Sequence, residues 1–439
     1  MKQDKKRFQI ETFGCQMNVN DSEKIAGILA AAGHEEAADA EDADFVFVNT
    51  CAVREKATDK LYHQLGRLRK VKQGRPSLKI GVGGCVAQLE GTDLLRRAPY
   101  IDVLVGTHTI GRVPELLARA EAGGPQVDLD RKADAFRIPE AVVAHSSSVR
   151  AFVTVMEGCN HVCSFCVVPR TRGPEVNRDA DEIVDEVRSL VSRGYREVML
   201  LGQTVDAYRS GGVDFPNLLE RVDGVASGAR VRFTTSHPEH VTPRLAEAMR
   251  DLPSVCPYLH LPVQSGSDRV LASMRRGYDR ARYLDIIALL RDRVPDLAIS
   301  SDVIAGYPGE SLADFEATVS LVQDVAFEGL FVFAYSPRPG TTARLLVDDV
   351  PAEEKLRRVQ LLNEQQQRHQ LAANRSRIGA RERVLVDSVQ PGRISGRTPH
   401  FRIVHADGDE TLHGQIVNLE ITGAGANSLQ GRRCPPPVH

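Results

Sequence analysis

Apolar and polar positions change period several times along this chain. Between residues 8 and 121, short apolar runs, FQIETF (8–13), DFVFVNT (44–50), LKIGVGG (78–84) and IDVLVG (101–106), alternate with stretches such as 19–32 and 55–71 whose apolar residues recur at helical spacing. Such alternation predicts a parallel, doubly wound sheet. Residues 122–148 lapse into AGGPQVDLDRKADAF and a serine triplet, the composition of a linker. A second alternation opens at Arg150, with strand-like runs at 150–156, 197–202, 231–236, 258–264, 298–305 and 329–335. Six such units predict a partial (β/α)6 barrel. Within it, Ser311-x-x-Asp314 predicts a capped helix start, and Pro351 predicts the opening of a long polar helix through Asn374. After Ile378 only short strands remain, ERVLVDSV, RISGRT, FRIVHA and QIVNLEITGA, which predict a small antiparallel β-barrel. The final CPPPVH cannot join a ladder easily and is expected to be disordered. The fold class is α/β, divided as 6–121, a linker at 122–144, 145–376 and 377–439.

Composition changes this picture mainly by exclusion. At 42% apolar and 26% charged over 439 residues, the chain is not of a disordered, collagenous or membrane-spanning kind. Its first eight residues are rich in charge and lack the apolar core of a secretory signal. The most apolar stretch, 325–335, is broken by Glu328 and Gly329 and falls short of the roughly 20 residues that span a bilayer. A cytoplasmic place is expected, and in that reducing compartment the 8 cysteines point to metal or redox chemistry. A net charge of -2 carries no nucleic-acid signal by itself. Locally, residues 54–79 set nine Lys/Arg against Glu55 and Asp59, a run that a solvated helix face explains equally well. Arg393, Arg397, Arg402, Arg432 and Arg433 fall in the last barrel, where strand faces and loops bind oligonucleotides, so RNA contact is expected there.

Six cysteines fall into two sets. Cys159, Cys163 and Cys166 form CNHVCSFC directly after the first strand of the second series. This compact C-x3-C-x2-C loop suits three thiolates directed at one face of an iron-sulfur cube whose fourth iron stays open. The alternative is a zinc site with His161 as the fourth ligand. Cys15, Cys51 and Cys85 are dispersed, but each follows a predicted strand, and parallel strands share one carboxyl edge, so the three converge there as a second metal site. The alternative is three unrelated thiols packed as small hydrophobes. Cys256 reads as a packed thiol and Cys434 as a tail thiol.

TFGCQMN, NTCAVREKA, GGCVAQ, MEGCNHVCSFCVVPRTRG, LLGQTVDAY, TTSHP, LHLPVQSGSDRVL and SSDVIAGYPGE follow one another in this order over nearly the whole chain. In these motifs the chain resembles the radical S-adenosylmethionine methylthiotransferases, and its last segment resembles their RNA-binding TRAM barrel. GCQMN and VREKA are similar to the type acting on isopentenyl-adenosine in tRNA; the threonylcarbamoyl-adenosine type usually reads GCKVN and the ribosomal-protein type GCPKN. The resemblance implies a radical-generating 4Fe-4S cluster on Cys159, Cys163 and Cys166 and an auxiliary 4Fe-4S cluster on Cys15, Cys51 and Cys85.

It further implies S-adenosylmethionine as radical source and as methyl donor, with methylthiolation at C2 of N6-isopentenyladenosine at position 37 of tRNA. The C2 hydrogen of adenine is not appreciably acidic, so a carboxylate or imidazole cannot remove it as a proton and a radical is required. Phe165, Gly202, Gln203, Ser236, Gln264 and Asp302, beside the loop or at strand ends, are expected to contact the cofactor, although structural hydrogen bonds are an equal reading of the polar ones. Arg393, Arg397 and Arg402 are the expected RNA contacts. The implied partners are the modified tRNA, an electron donor such as flavodoxin or ferredoxin and a sulfur donor, with the enzyme a monomer free of membrane. The two sibling substrates remain open, as does an iron-sulfur RNA-binding sensor without turnover.

Overall fold

Phe45, Val46, Phe47 and Val48 are all buried, because the strand they form lies inside a sheet covered on both faces. The computed structural model describes residues 5–52, 55–131 and 138–434. Its first sheet contains β1 (Arg7–Phe13), β2 (Glu35–Glu36), β3 (Phe45–Thr50), β4 (Lys79–Gly83), β5 (Val103–Val105) and β6 (Gln126–Asp128), all parallel, in the order β2-β1-β3-β4-β5-β6. The connecting helices are α1 (Gln16–Ala31), α2 (Glu55–Gly74), α3 (Cys85–Glu90), α4 (Thr92–Arg97) and α5 (Val113–Ala122). Phe45 and Phe47 pack with Ile25 and Leu29 of α1 and Leu116 and Leu117 of α5. Val46 and Val48, one residue out of phase, pack with Leu61 and Leu65 of α2, Val86 of α3 and Leu94 of α4.

The segment expected to be a linker contributes β6, where Val127 pairs with Leu104. A three-residue edge strand carries too few apolar positions to declare a period. Further on, the Ala144 N–H donates to the Glu23 carbonyl at 3.1 Å, so this segment is strapped along α1. Residues 132–137, also in that stretch, lie outside the described residues.

The second series forms the expected parallel strands: Arg150–Thr154, Glu197–Leu201, Arg230–Thr234, Tyr258–His260, Ala298–Ala305 and Gly329–Ala334. They stand as two three-stranded sheets, bridged where the Ser236 N–H donates to His260 O at 3.2 Å. Among the described residues no pairing joins the first strand to the sixth, so the barrel is open there. Ser311 and Asp314 cap Leu312–Val325 reciprocally, and Pro351 immediately precedes Ala352–Arg375. No helix among the described residues is long and apolar enough to cross a membrane.

The last strands close into a barrel in the order Arg381–Gln390, Arg393–Arg397, Ile403–Asp407, Leu429–Arg433, Ile416–Ala424. Closure is not wholly antiparallel, because Leu429–Arg433 pairs in parallel with Ile403–Asp407. LQGRR has one apolar residue and gives no alternation, so this strand is invisible in the pattern. The tail from Pro435 onward lies outside the described residues.

Three arginines fasten this barrel to the central one. Buried Arg232 donates to Glu197 at 2.8 Å and to the carbonyls of Thr398 and Pro399 at 2.7 Å each. Arg230 reaches the carbonyls of Arg383 and Arg397, and Arg150 links Glu197 to Asp387. Burial alone would raise Glu197, but Arg232 and Arg150 outweigh it and hold the carboxyl below its ordinary value. Its stabilisation is therefore full at neutral pH and is lost as pH falls through the depressed folded-state pKa. Glu197→Ala strands two arginines and is expected to cost about 3–5 kcal/mol, read by denaturant unfolding at neutral pH. A cost under about 1 kcal/mol would contradict that role.

Candidate iron-sulfur sites

The loop bearing Cys159, Cys163 and Cys166 is set by its neighbours on both sides. Gly158 sits at φ +79, and a Cβ there would lie 2.0 Å from the Pro174 carbonyl oxygen, so glycine alone admits this turn. Gln203 Oε1 accepts the Gly158 N–H at 2.6 Å, and the Ser164 N–H donates to Met274 O at 3.0 Å. Cys159 Sγ lies 3.3 Å from Thr204 Oγ1; Cys163 Sγ accepts Arg276 Nη1–H and Cys166 Sγ the Val168 N–H, both at 3.4 Å. Each sulfur thus has a donor group beside it, the surroundings that suit metal-bound thiolates. Burial pushes the Cys159 thiol up and that of Cys166 up to about 12, so as free thiols both stay protonated at neutral pH, whereas a metal deprotonates them. Three sulfurs on one loop with donors in place fit a cluster.

His161, the candidate fourth zinc ligand, is committed elsewhere. Its Nε2 lies 3.0 Å from His240 Nε2, its ring stacks on His237 at 4.0 Å between centroids, and its Nδ1 lies 3.4 Å from Glu239 Oε2. His161, His237 and Glu239 bring ligand atoms within 4.8 Å of one another. However, His237 Nδ1 already accepts the Glu239 N–H at 3.3 Å, capping the short turn Pro238–His240. The group is an imidazole cluster in which His161 Nε2 and His237 Nδ1 are engaged while His237 Nε2 is buried without a hydrogen-bond partner.

The dispersed cysteines do converge. Cys15 follows β1, Cys51 follows β3 and Cys85 follows β4, three adjacent strands whose carboxyl ends share one edge. Gly84, at φ +86, brings Cys85 in: a Cβ there would lie 2.3 Å from Asn49 Oδ1. Asn49 is itself fixed, donating to Asn18 O at 2.9 Å. Hydrogen bonding with the Cys51 thiol, ahead of the Arg172 charge, holds Cys15 at about 6 and Cys85 at about 7, while Cys51 is pushed up. Three thiols in such contact fit a second cluster.

The two sets are tied together. Arg172, on the same connection as Cys166, is buried and pairs with Asp21 of α1 at 2.5 Å and with Glu157 at 3.6 Å. Asn20 Nδ2 donates to Thr154 Oγ1 at 2.6 Å, and Met17 packs on Met199 and Leu201. The first two turns of α1, which begins after Cys15, are thereby seated on the ends of the first two barrel strands.

Residues 7–106 match the uncharacterized protein family UPF0004, and residues 153–322 match the Radical SAM superfamily. A tRNA-2-methylthio-N(6)-dimethylallyladenosine synthase of Thiobacillus denitrificans is 47% identical over 97% of this chain and 98% of its own. A synthase of the same name from Nitrosospira multiformis is 45% identical over 97% of this chain and 92% of its own. The chain belongs to this synthase family. Among solved structures, the radical S-adenosylmethionine methyltransferase TsrM of Kitasatospora setae, with cobalamin and a [4Fe-4S] cluster bound, has a TM-score of 0.56 at 12% identity. That comparison covers 89% of this chain and 80% of TsrM and speaks to fold alone. As a member of the synthase family, the protein uses S-adenosylmethionine and 4Fe-4S clusters.

The other expected residues are placed unevenly. Phe165 packs with Val270, Met274, Tyr307 and Tyr335. Gly202 ends the second strand, its N–H donating to Thr234 O at 3.1 Å, and Gln203 is engaged by Gly158. Ser236 is buried with an unpartnered Oγ, Gln264 turns the chain at φ 73, and Asp302 Oδ2 lies 3.4 Å from His260 Nε2. Thr204 and Arg172 lie inside the motifs LLGQTVDAY and MEGCNHVCSFCVVPRTRG without having been given a role there, and Arg276 lies outside every motif named above.

The expected RNA arginines divide. Arg397 is paired with Asp387 of the neighbouring strand of the same barrel, and Arg402, with Nη2 3.5 Å from Glu328 of the central barrel, is largely buried. Arg393 instead lines an open groove with Asp407, Thr422, Gln430, Arg432 and Arg433. The basic run of α2 is partly neutralised, Arg67 by Glu11 and Lys72 by Asp102; Arg54 lies outside the described residues.

Proposed function

We propose that this protein inserts sulfur and a methyl group at C2 of N6-isopentenyladenosine at position 37, beside the anticodon of tRNA, giving 2-methylthio-N6-isopentenyladenosine. The observation that carries the reading is a pair of three-thiol sites, one per domain, held together through Arg172, in a chain 45% and 47% identical to synthases named for that product. When bound, the cluster at Cys159, Cys163 and Cys166 supplies the electron that opens the sulfonium bond of S-adenosylmethionine, and the one at Cys15, Cys51 and Cys85 carries the sulfur.

The chain's own residues position these groups and exclude competing reactions. Gln203 and Ser164 anchor the cluster loop. Ser236, Gln264 and Asp302 offer polar groups to S-adenosylmethionine at the strand ends, and Gly202, Gln203 and Phe165 complete the expected cofactor contacts. The anticodon loop is single-stranded, so an adenine turned outward enters a barrel mouth at less unstacking cost than a duplex base. The protein works in the cytoplasm as a monomer, with an electron donor such as flavodoxin or ferredoxin and a separate sulfur donor.

Incubating the reconstituted enzyme, S-adenosylmethionine and reductant with tRNA carrying N6-isopentenyladenosine should yield the methylthio nucleoside. The same reaction with threonylcarbamoyl-adenosine tRNA should not; product there alone would move the chain to the sibling type. Arg393, Arg432 and Arg433 are the RNA contacts of the last barrel. Replacing all three by alanine should weaken tRNA binding and flatten its salt dependence by about 0.7 in log-log slope per lost phosphate contact. An unchanged slope would take RNA off this groove.

A further inference from the structure

Arg276 is buried, yet among the described residues it takes part in no ion pair with a carboxylate. Its partners are Tyr278 Oη at 2.9 Å from Nε, Pro262 O at 2.9 Å from Nη2, and Cys163 Sγ at 3.4 Å from Nη1. A buried cation held only by neutral acceptors is among the costliest arrangements in a protein, and such charges are retained where an anion completes them. Of these partners, Cys163 Sγ is the one that a bound cluster turns into an anion.

The geometry around Arg276 is stiff. Helix Asp268–Met274 ends at Arg275, which takes the left-handed conformation at φ 58, and Gly277 follows at φ 75, so the chain reverses about Arg276. The helix end is tied to the cysteine loop through Met274 O and the Ser164 N–H, and the guanidinium lies 5.3 Å from the Tyr278 ring centroid. Donor and sulfur are therefore held by one rigid unit. Arg172, near the other thiol set, differs: Asp21 and Glu157 offset its charge.

We propose that Arg276 is a positioning residue that sets the reduction potential of the cluster on Cys159, Cys163 and Cys166, its fixed charge and N–H···S bond favouring the reduced state. Hydrogen bonds to sulfur and local charge are the protein's main controls over such potentials. The inference rests on the cluster assignment above and extends it to a residue that touches neither substrate nor iron.

The test is a dithionite redox titration of the two-cluster enzyme followed by electron paramagnetic resonance, reading the signal that S-adenosylmethionine perturbs. Arg276→Gln should shift that midpoint negative by at least a tenfold change in the reduction equilibrium, about 59 mV for one electron, with the other cluster unmoved. Arg276→Lys, which keeps the charge, should shift it less. A wild-type midpoint in Arg276→Gln overturns the proposal. If Arg276→Gln fails to hold the cluster, Arg276→Lys decides: restored cluster supports a charge role, and no restoration reduces Arg276 to packing and also overturns it. Absence of any S-adenosylmethionine-sensitive signal in the unmodified protein would instead fall on the cluster assignment.

Discussion

Replacing Cys163 by alanine is expected to abolish 5'-deoxyadenosine formation while the fold stays in place. Cys163 is half-buried, the anchors of its loop, Gln203 to Gly158 and Ser164 to Met274, do not involve its sulfur, and Arg276, which donates to that sulfur, keeps Tyr278 and Pro262 as partners. Losing one of three ligands on one loop removes the cluster, and with it the electron that S-adenosylmethionine requires. Activity should fall to background, and iron from about eight to about four per chain, with an unchanged circular dichroism spectrum. Continued deoxyadenosine production would sink the assignment of that site.

Cys85→Ala separates the two sites. Cys85 opens α3 behind Gly84, and alanine is a good helix former there, so the local structure should persist. Deoxyadenosine should still form from S-adenosylmethionine, because the loop at Cys159 is intact. The methylthio nucleoside should fall below detection, since the sulfur carrier is gone. Methylthiolated product from this variant would show that the convergent thiols do not carry the sulfur.

These two predictions rest on the part of the molecule that the sequence displays openly. Cys15, Cys51 and Cys85 could be brought together without a structure because each follows a strand, and parallel strands end on one edge. The six barrel strands were equally visible, as short strand-like runs separated by helix-compatible segments. Short edge elements were not: β6 has three residues and Leu429–Arg433 one apolar side chain, too little for any period. Charged residues were the least legible. Arg397 and Arg402 look like RNA contacts in a basic barrel, but Arg397 is paired with Asp387 on the adjacent strand and Arg402 lies beside Glu328, distant in sequence. Arg276 was passed over because nothing in RRGY announces that a left-handed turn directs it at a cysteine far upstream.

The same inward-facing arginines decide how RNA binding should be probed. Deleting residues 378–439 would leave Arg230 and Arg232 buried against missing carbonyls, so loss of binding would be confounded with loss of stability. Surface changes at Arg393, Arg432 and Arg433 avoid this, because those side chains line an open groove and the pair Arg432 makes with Glu420 at 3.2 Å is exposed.

The central claim is that one chain with two clusters methylthiolates isopentenyl-adenosine in tRNA. Its most direct test is mass spectrometry of tRNA nucleosides from a host lacking this activity, with and without the protein expressed. Appearance of 2-methylthio-N6-isopentenyladenosine, with a matching fall in N6-isopentenyladenosine, is the predicted result. An unchanged nucleoside profile from cells in which both clusters are assembled would contradict the account.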